Sequence, residues 1–350
     1  MQEDSCMHSF RKVLISIAVF LAAVSAASAS LMEPYFNSSV YHYQDASVRR
    51  ELAGTIDTVF IGASHGLRAF SPEIADEILD ISSYNLSTEL MTMRGRYTLL
   101  KKELSRNPVK TVILELSFNS LTRNRIDEGP EGDIYVFGKL DTPAERAGFF
   151  FSAFRPDEYA RVYSDTLGRG ATCITGSIEP SVTDEIRLTQ KGFLDTSSND
   201  VSMTEEQYEN NRLKSTIYSE PYAENVEYLE RIIKLCHDYG VRIITVVTPI
   251  SDRTICMYSD MDVLMNDIAS VCEENGVEYY DFNLLKTRSE TWNQETDFSD
   301  DIHLSVNGAE KFTKALADVL IRINEGGNTT ALFFKSYKEI SEADVFSFSQ

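Results

Sequence analysis

Residues 57–66 read DTVFIGASHG. The run Thr58-Val59-Phe60-Ile61 is β-branched and apolar, too short for a helix and closed by Gly62, so it predicts a buried strand that ends in a turn. A serine placed there, Ser64, stands at the carboxyl edge of whatever sheet that strand joins. Gly62 and Gly66 give the backbone room to turn tightly and leave its N–H groups free to face a ligand. Ser64 is therefore a candidate nucleophile, although serine in a glycine-containing turn is also ordinary turn chemistry. His65 beside it could donate to a substrate or serve only in packing.

Working outward, residues 72–81 (PEIADEILDI) carry apolar side chains at helical spacing. Residues 84–86 predict a second short strand, and 91–104 a helix with Lys101 and Lys102 in its last turn. Residues 109–116 (VKTVILEL) predict a third strand, apolar enough for the interior of a parallel sheet. After a long interruption the rhythm resumes. An amphipathic helix over 225–237 is stopped by Gly240, and a strand over 241–247 is ended by Thr248-Pro249. A helix over 261–275, a strand over 277–280 and a closing helix over 307–323 follow. Strand and helix in alternation imply right-handed crossovers and a doubly wound α/β domain with a mainly parallel central sheet, here spanning 55–325.

Residues 121–220 break that alternation. They hold Gly129-Pro130-Glu131-Gly132, scattered aromatic residues and the polar run 196–204, and predict a large insertion with a helical portion over 143–167. Insertions of this kind usually lie near the carboxyl ends of the strands, where open α/β sheets bind substrates. The insertion's aromatic residues (Tyr135, Phe137, Phe149, Phe150, Phe151, Phe154, Tyr159 and Tyr163) serve equally as core or as sugar platforms. Residues 30–54 read as a stalk, and 326–350 as a tail or edge element without assigned chemistry.

At the N-terminus Arg11 and Lys12 precede the apolar run VLISIAVFLAAVSAASA at 13–29. This is near the lower length limit of a membrane span with its basic flank inside. It also fits a signal peptide cleaved after Ala27-Ser28-Ala29. The fade into Ser and Ala favours an uncleaved anchor, and either reading exports the residues that follow. A buried helix of a cytosolic domain is the third possibility.

The chain has 350 residues, with 33 Lys+Arg against 54 Asp+Glu and a formal charge of −21. That charge repels a phosphate backbone, and no basic patch offsets it, so nucleic acid is not an expected partner. Its five cysteines form no CxxC pair and no Cys/His ligand spacing, so no structural zinc is expected. With only five histidines, the many acids read as solvated charge in place of a metal-dependent phosphoesterase site. Cys236 and Cys272 read as buried thiols, while a Cys173–Cys256 pair stays open in an oxidising compartment.

The second motif is Asp300-Asp301-Ile302-His303, followed by Leu304-Ser305-Val306-Asn307-Gly308-Ala309. An Asp three residues before a His can turn back to accept a hydrogen bond from the imidazole and fix its tautomer. Ser first and Asp-x-x-His near the end, one after the first strand and one before the last helix, resembles the SGNH (GDSL-like) hydrolase superfamily. Residues 61–64 are similar to its first block, with Ala63 where Asp is usual, and 303–309 to its HLN-x-x-G-A run into the final helix. The resemblance covers 57–120 and 225–323.

What it implies is a three-layer α/β/α sandwich of flavodoxin-like SGNH type and an acyl-enzyme on Ser64. His303 would be the general base and Asp300 its orienting carboxylate, with no cofactor and no metal. Asp301 fits the pattern less well. The oxyanion donors would be the Ser64 amide with the regions of Ser87 and Asn119; Ser87 stands where Gly is common. The resemblance also implies an extracytoplasmic, membrane-anchored protein of the cell envelope. The extracytoplasmic branches that it most resembles include proteins that O-acetylate exopolysaccharides and proteins involved in teichoic acid D-alanylation, so an acylated carbohydrate and envelope-biosynthesis proteins are the expected partners. An esterase, an acyltransferase and a non-catalytic binding module on this fold all remain open.

Overall fold

A computed structural model describes residues 11–17, 19–20, 23, 48–162, 164, 186–189, 191–197, 206 and 215–342. The chain divides into two compact units, one of residues 1–43 and 154–181 and a larger one of 44–153 and 182–350. In the smaller unit, residues 11–17 and 159–162 are helical. Much of the apolar run 13–29 lies outside the described residues, as do Cys6 and Cys173. Among the described residues no helix is long and apolar enough to cross a membrane.

The larger unit is α/β. Its five-stranded sheet contains β1 (Thr58–Ile61), β2 (Ser83–Asn85), β3 (Thr111–Glu115), β6 (Arg242–Val247) and β7 (Glu278–Asp281), in the order β2-β1-β3-β6-β7. Every pairing in it is parallel. The remaining strands, β4 (Ile186–Leu188) and β5 (Leu194–Thr196), form an antiparallel hairpin within the insertion. The helices are α1 (Ser64–Leu67), α2 (Pro72–Leu79), α3 (Met93–Leu104), α4 (Arg125–Glu128), α5 (Glu131–Gly138), α6 (Pro143–Ala153) and α7 (Ala223–Asp238). After these come α8 (Asp252–Met257), α9 (Met261–Glu274), α10 (Arg288–Thr291), α11 (Val306–Asn324) and α12 (Tyr337–Glu342).

Strand side chains of both parities are buried, as the continuous apolar runs require. Phe60, Ile113, Ile244 and Val246 join one core cluster with Phe70, Ala75, Phe312 and Leu316. Their neighbours Val59, Val112, Leu114 and Ile243 are buried as well. α2 packs against α11, and α3 against α7. The element limits follow local chemistry: α2 starts with Pro72 at its first position and stops at Asp80 in a left-handed conformation. α3 begins at Thr92, whose side chain accepts from Gly95 N.

Some expectations change. The stretch around Gly129-Pro130 is regular, since α5 opens with Glu131 and Asp133 in its first turn. The end of the expected stalk is docked: Arg49 is buried, pairs with Glu103 at 3.0 Å and donates to the Lys139 carbonyl. Of the two forms open to the stretch after 325, Phe333 takes that of an edge element, bridging antiparallel to Leu285, and Tyr337 donates to Asp281 Oδ2 at 2.6 Å.

Candidate functional site

β1 delivers Ser64 to the carboxyl edge of the sheet. Ala63 is the extended residue before α1, and Ser64 is that helix's first residue, so its N–H has no intrahelical acceptor. The register explains what surrounds the turn. Ile61 lies opposite Leu114 and Phe60 opposite Asn85, so Gly62 and the Ser87 region, just past their strands, come beside Glu115, the last residue of β3.

The imidazole comes from the loop before α11. Phe298 bridges to Leu304, both in the core. Ser305 caps α11, accepting from Gly308 N, and its hydroxyl donates to the Thr296 carbonyl at 2.7 Å. Within this frame Asp300 Oδ1 accepts the N–H groups of Ile302 (2.9 Å) and His303 (2.8 Å). The loop therefore closes on its own carboxylate.

Residues 239 positions apart meet here: His303 Nε2 lies 2.9 Å from Ser64 Oγ. On the other side of the ring, His303 Nδ1 lies 2.8 Å from Asp300 Oδ2. Burial pushes the Asp300 carboxyl up. The hydrogen bond and charge of His303 and the two backbone N–H groups more than offset this and hold it at about 2. Asp300 is thus a carboxylate at any working pH, suited to keep a proton on Nδ1 and leave Nε2 facing the hydroxyl. The Asp301 backbone carbonyl accepts from Thr254 Oγ1 and Ser251 N, which ties this loop to α8.

The other expected residues divide. His65 is 4% exposed, its ring 4.9 Å from that of His303 and edge-on to Phe118. Burial, and then the charge of His303, lower its pKa well below the usual value, so it packs as a neutral ring. Asn119 is half-buried; its Oδ1 accepts from Ser117 Oγ, and it lines a small recess with Ala63, Arg96 and Ser120. Its side-chain N–H₂ group makes no hydrogen bond among the described residues, so it can act as a donor there. The Ser87 amide is already engaged, donating to Asn85 Oδ1 at 3.1 Å. The Ser87 hydroxyl is buried without a partner and faces Gly66.

Two residues were not anticipated. Glu115, fully buried at the end of β3, accepts the Ala63 N–H at 3.1 Å. Arg96 of α3, 1% exposed, donates to the Glu115 carbonyl at 2.6 Å and to Ser120 Oγ. An acid inside the apolar run VILEL was the available signal, because a buried charge requires a partner. Among the described residues no group of three His, Cys, Asp or Glu side chains is placed to hold a metal ion. Cys236 and Cys272 are buried thiols, pushed up by burial to about 12 and about 11, and Cys256 is buried too.

No family profile matches the chain, and no curated protein matches it. A solved structure from Streptococcus pneumonia, provisionally named as a platelet activating factor, aligns over 87% of this chain and 99% of its own. Its identity is 13% and its TM-score 0.36, too low to bear on the fold or the chemistry.

Proposed function

We propose that the chain is a serine-dependent ester hydrolase or O-acyltransferase of the SGNH type, with a three-layer α/β/α domain. The strand order and the burial of both strand parities support that architecture. The observation that carries the activity is the Ser64–His303–Asp300 array, with contacts of 2.9 and 2.8 Å.

In this reading His303 Nε2 takes the Ser64 proton as Oγ attacks the ester carbonyl, while Asp300 stabilises the imidazolium. The oxyanion meets the Ser64 N–H and the Asn119 side-chain amide; a single such donor is typically worth about 100- to 1000-fold. The leaving alkoxide takes the proton from His303, which leaves an acyl-enzyme. Water as second acceptor gives hydrolysis, and a sugar hydroxyl gives transfer. From the sequence alone we infer an acylated carbohydrate of the cell envelope as substrate. On the same basis the site lies outside the cytoplasmic membrane, tethered by the run 13–29.

A fluorophosphonate probe tests the activity. Wild type is expected to label, Ser64→Ala not at all, and His303→Ala at least about 1000-fold more slowly. A well-folded wild type that ignores both the probe and small acetyl esters would leave the non-catalytic binding module as the correct reading.

A further inference from the structure

Ala63 immediately precedes the candidate nucleophile, and its N–H is fixed from outside the turn. The acceptor is Glu115 Oε2, from the neighbouring strand, at 3.1 Å. Two glycines make room for this carboxylate. A Cβ on Gly62 would lie 2.5 Å from Glu115 Oε2 and 2.6 Å from its Cβ, and one on Gly66 would lie 3.3 Å from the same Cβ. Arg96 closes the arrangement from α3, its Nη1 on the Glu115 carbonyl at 2.6 Å and its Nη2 3.6 Å from Oε2. Three elements therefore converge on one acid: the β1–α1 turn, β3 and α3.

A neutral side chain could satisfy one amide at lower desolvation cost. Burial pushes the Glu115 carboxyl up, against the opposing pull of Arg96 and the Ala63 N–H. Among the described residues Glu115 Oε1 has no hydrogen-bond partner, although it is shielded from water. Buried polar atoms are seldom left unsatisfied, and the exceptions cluster where geometry is under functional constraint. What Glu115 supplies is an acceptor oxygen, braced from its other side by Arg96, at the peptide that sets the direction of Ser64.

We propose that Glu115 is the positioning residue of the nucleophile turn: through Ala63 it holds Ser64 Oγ within reach of His303 Nε2. The proposal rests on the serine-hydrolase reading above. Among the described residues no hydrogen bond joins Glu115 to Ser64 Oγ, His303 or Asn119. Loss of Glu115 should therefore lower kcat and leave KM in place, because a displacement on the order of 1 Å can cost about 100-fold in rate.

The full-length chain is assayed with p-nitrophenyl acetate and with a fluorophosphonate probe, well below the melting temperature of the weakest variant. Glu115→Leu removes the acceptor, and Glu115→Gln keeps an oxygen for the Ala63 N–H. Should Glu115→Leu strand Arg96 and not fold, Glu115→Leu/Arg96→Met leaves no unpaired charge and is read in its place. The expected result is kcat and labelling rate at least about tenfold down in the Leu variant, KM within about twofold, and Glu115→Gln within about threefold of wild type. Unchanged kcat in the folded Leu variant overturns the proposal, as does a Gln variant that falls as far as Leu. A wild type inert to both reagents removes the enzyme reading itself, which separates that failure from this one.

Discussion

Asp300 serves two partners with two oxygens: Oδ1 closes its own loop and Oδ2 takes the imidazole. Its carboxyl is held at about 2, against 3.8 for an ordinary Asp. A depressed pKa means that the folded state favours the ionised form. The stabilisation is therefore fully present above about pH 4 and disappears as pH falls through about 2. Asn in its place keeps one acceptor and loses the charge. The melting-temperature gap between wild type and Asp300→Asn should be flat from about pH 8 to about pH 5 and should close between about pH 4 and about pH 2. A gap that closes instead between pH 5 and 8, measured by thermal denaturation in matched buffers, would mean that another group carries the linkage. Ser64, Asp300 and His303 were legible because each follows a local pattern: a strand end, an Asx turn, a helix cap. Glu115 was not, because its role depends on the β1–β3 register, which VILEL alone does not encode. The contact of the Ser87 amide with Asn85 Oδ1, through a turn only two residues long, is likewise a feature of the folded turn that the sequence does not display.

At the scale of elements, the site depends on how closely α11 seats on the loop that feeds it. Gly308, in the first turn of α11, lies against the Asp297 carbonyl; a Cβ there would stand 1.9 Å from that oxygen. Asp297 is itself pinned, its Oδ2 accepting from Lys311 Nζ at 2.6 Å and its carbonyl accepting from Ser305 N. No flexible side-chain end can yield, so Gly308→Ala must lift the helix or push back the loop that bears Asp300 and His303. The expectation is a loss of about 2 kcal/mol or more, read from denaturant midpoints, together with a fall in fluorophosphonate labelling of the folded fraction. Gly308→Ala at wild-type stability and reactivity would show that the loop is looser than its hydrogen bonds imply. Helices with a full apolar face (α2, α3, α7, α9, α11) were readable to within two residues at most ends. α1 and α4 were not, because four residues hold no period. The β4–β5 hairpin escaped notice because its docking is long-range: the Lys191 carbonyl accepts from Asn85 N, and Gly192 fits against the Asn85 carbonyl only without a Cβ.

Over the whole molecule the deciding quantity is charge. The alternation of strand and helix made the parallel sheet legible, but composition also carries the −21 that any substrate must approach. In the recess shared by Ala63 and Asn119 the sign looks reversed, since Arg96, Arg123 and Arg125 line it. Each guanidinium has an acid next to it, however: Glu115, Glu128 and Asp133 respectively. The paired charges cancel within a few ångströms, whereas the net field reaches a Debye length, roughly 30 Å at 0.01 M salt and about 8 Å at 0.15 M. An anionic ester should therefore be repelled at low salt and gain kcat/KM as salt rises over that range. A neutral ester with the same acyl and leaving groups should be unaffected. Stopped-flow measurement of both esters across the series decides which field governs approach. If the anionic ester loses rate as salt is added, the recess arginines outweigh the net charge, and the site is built to draw an anion in.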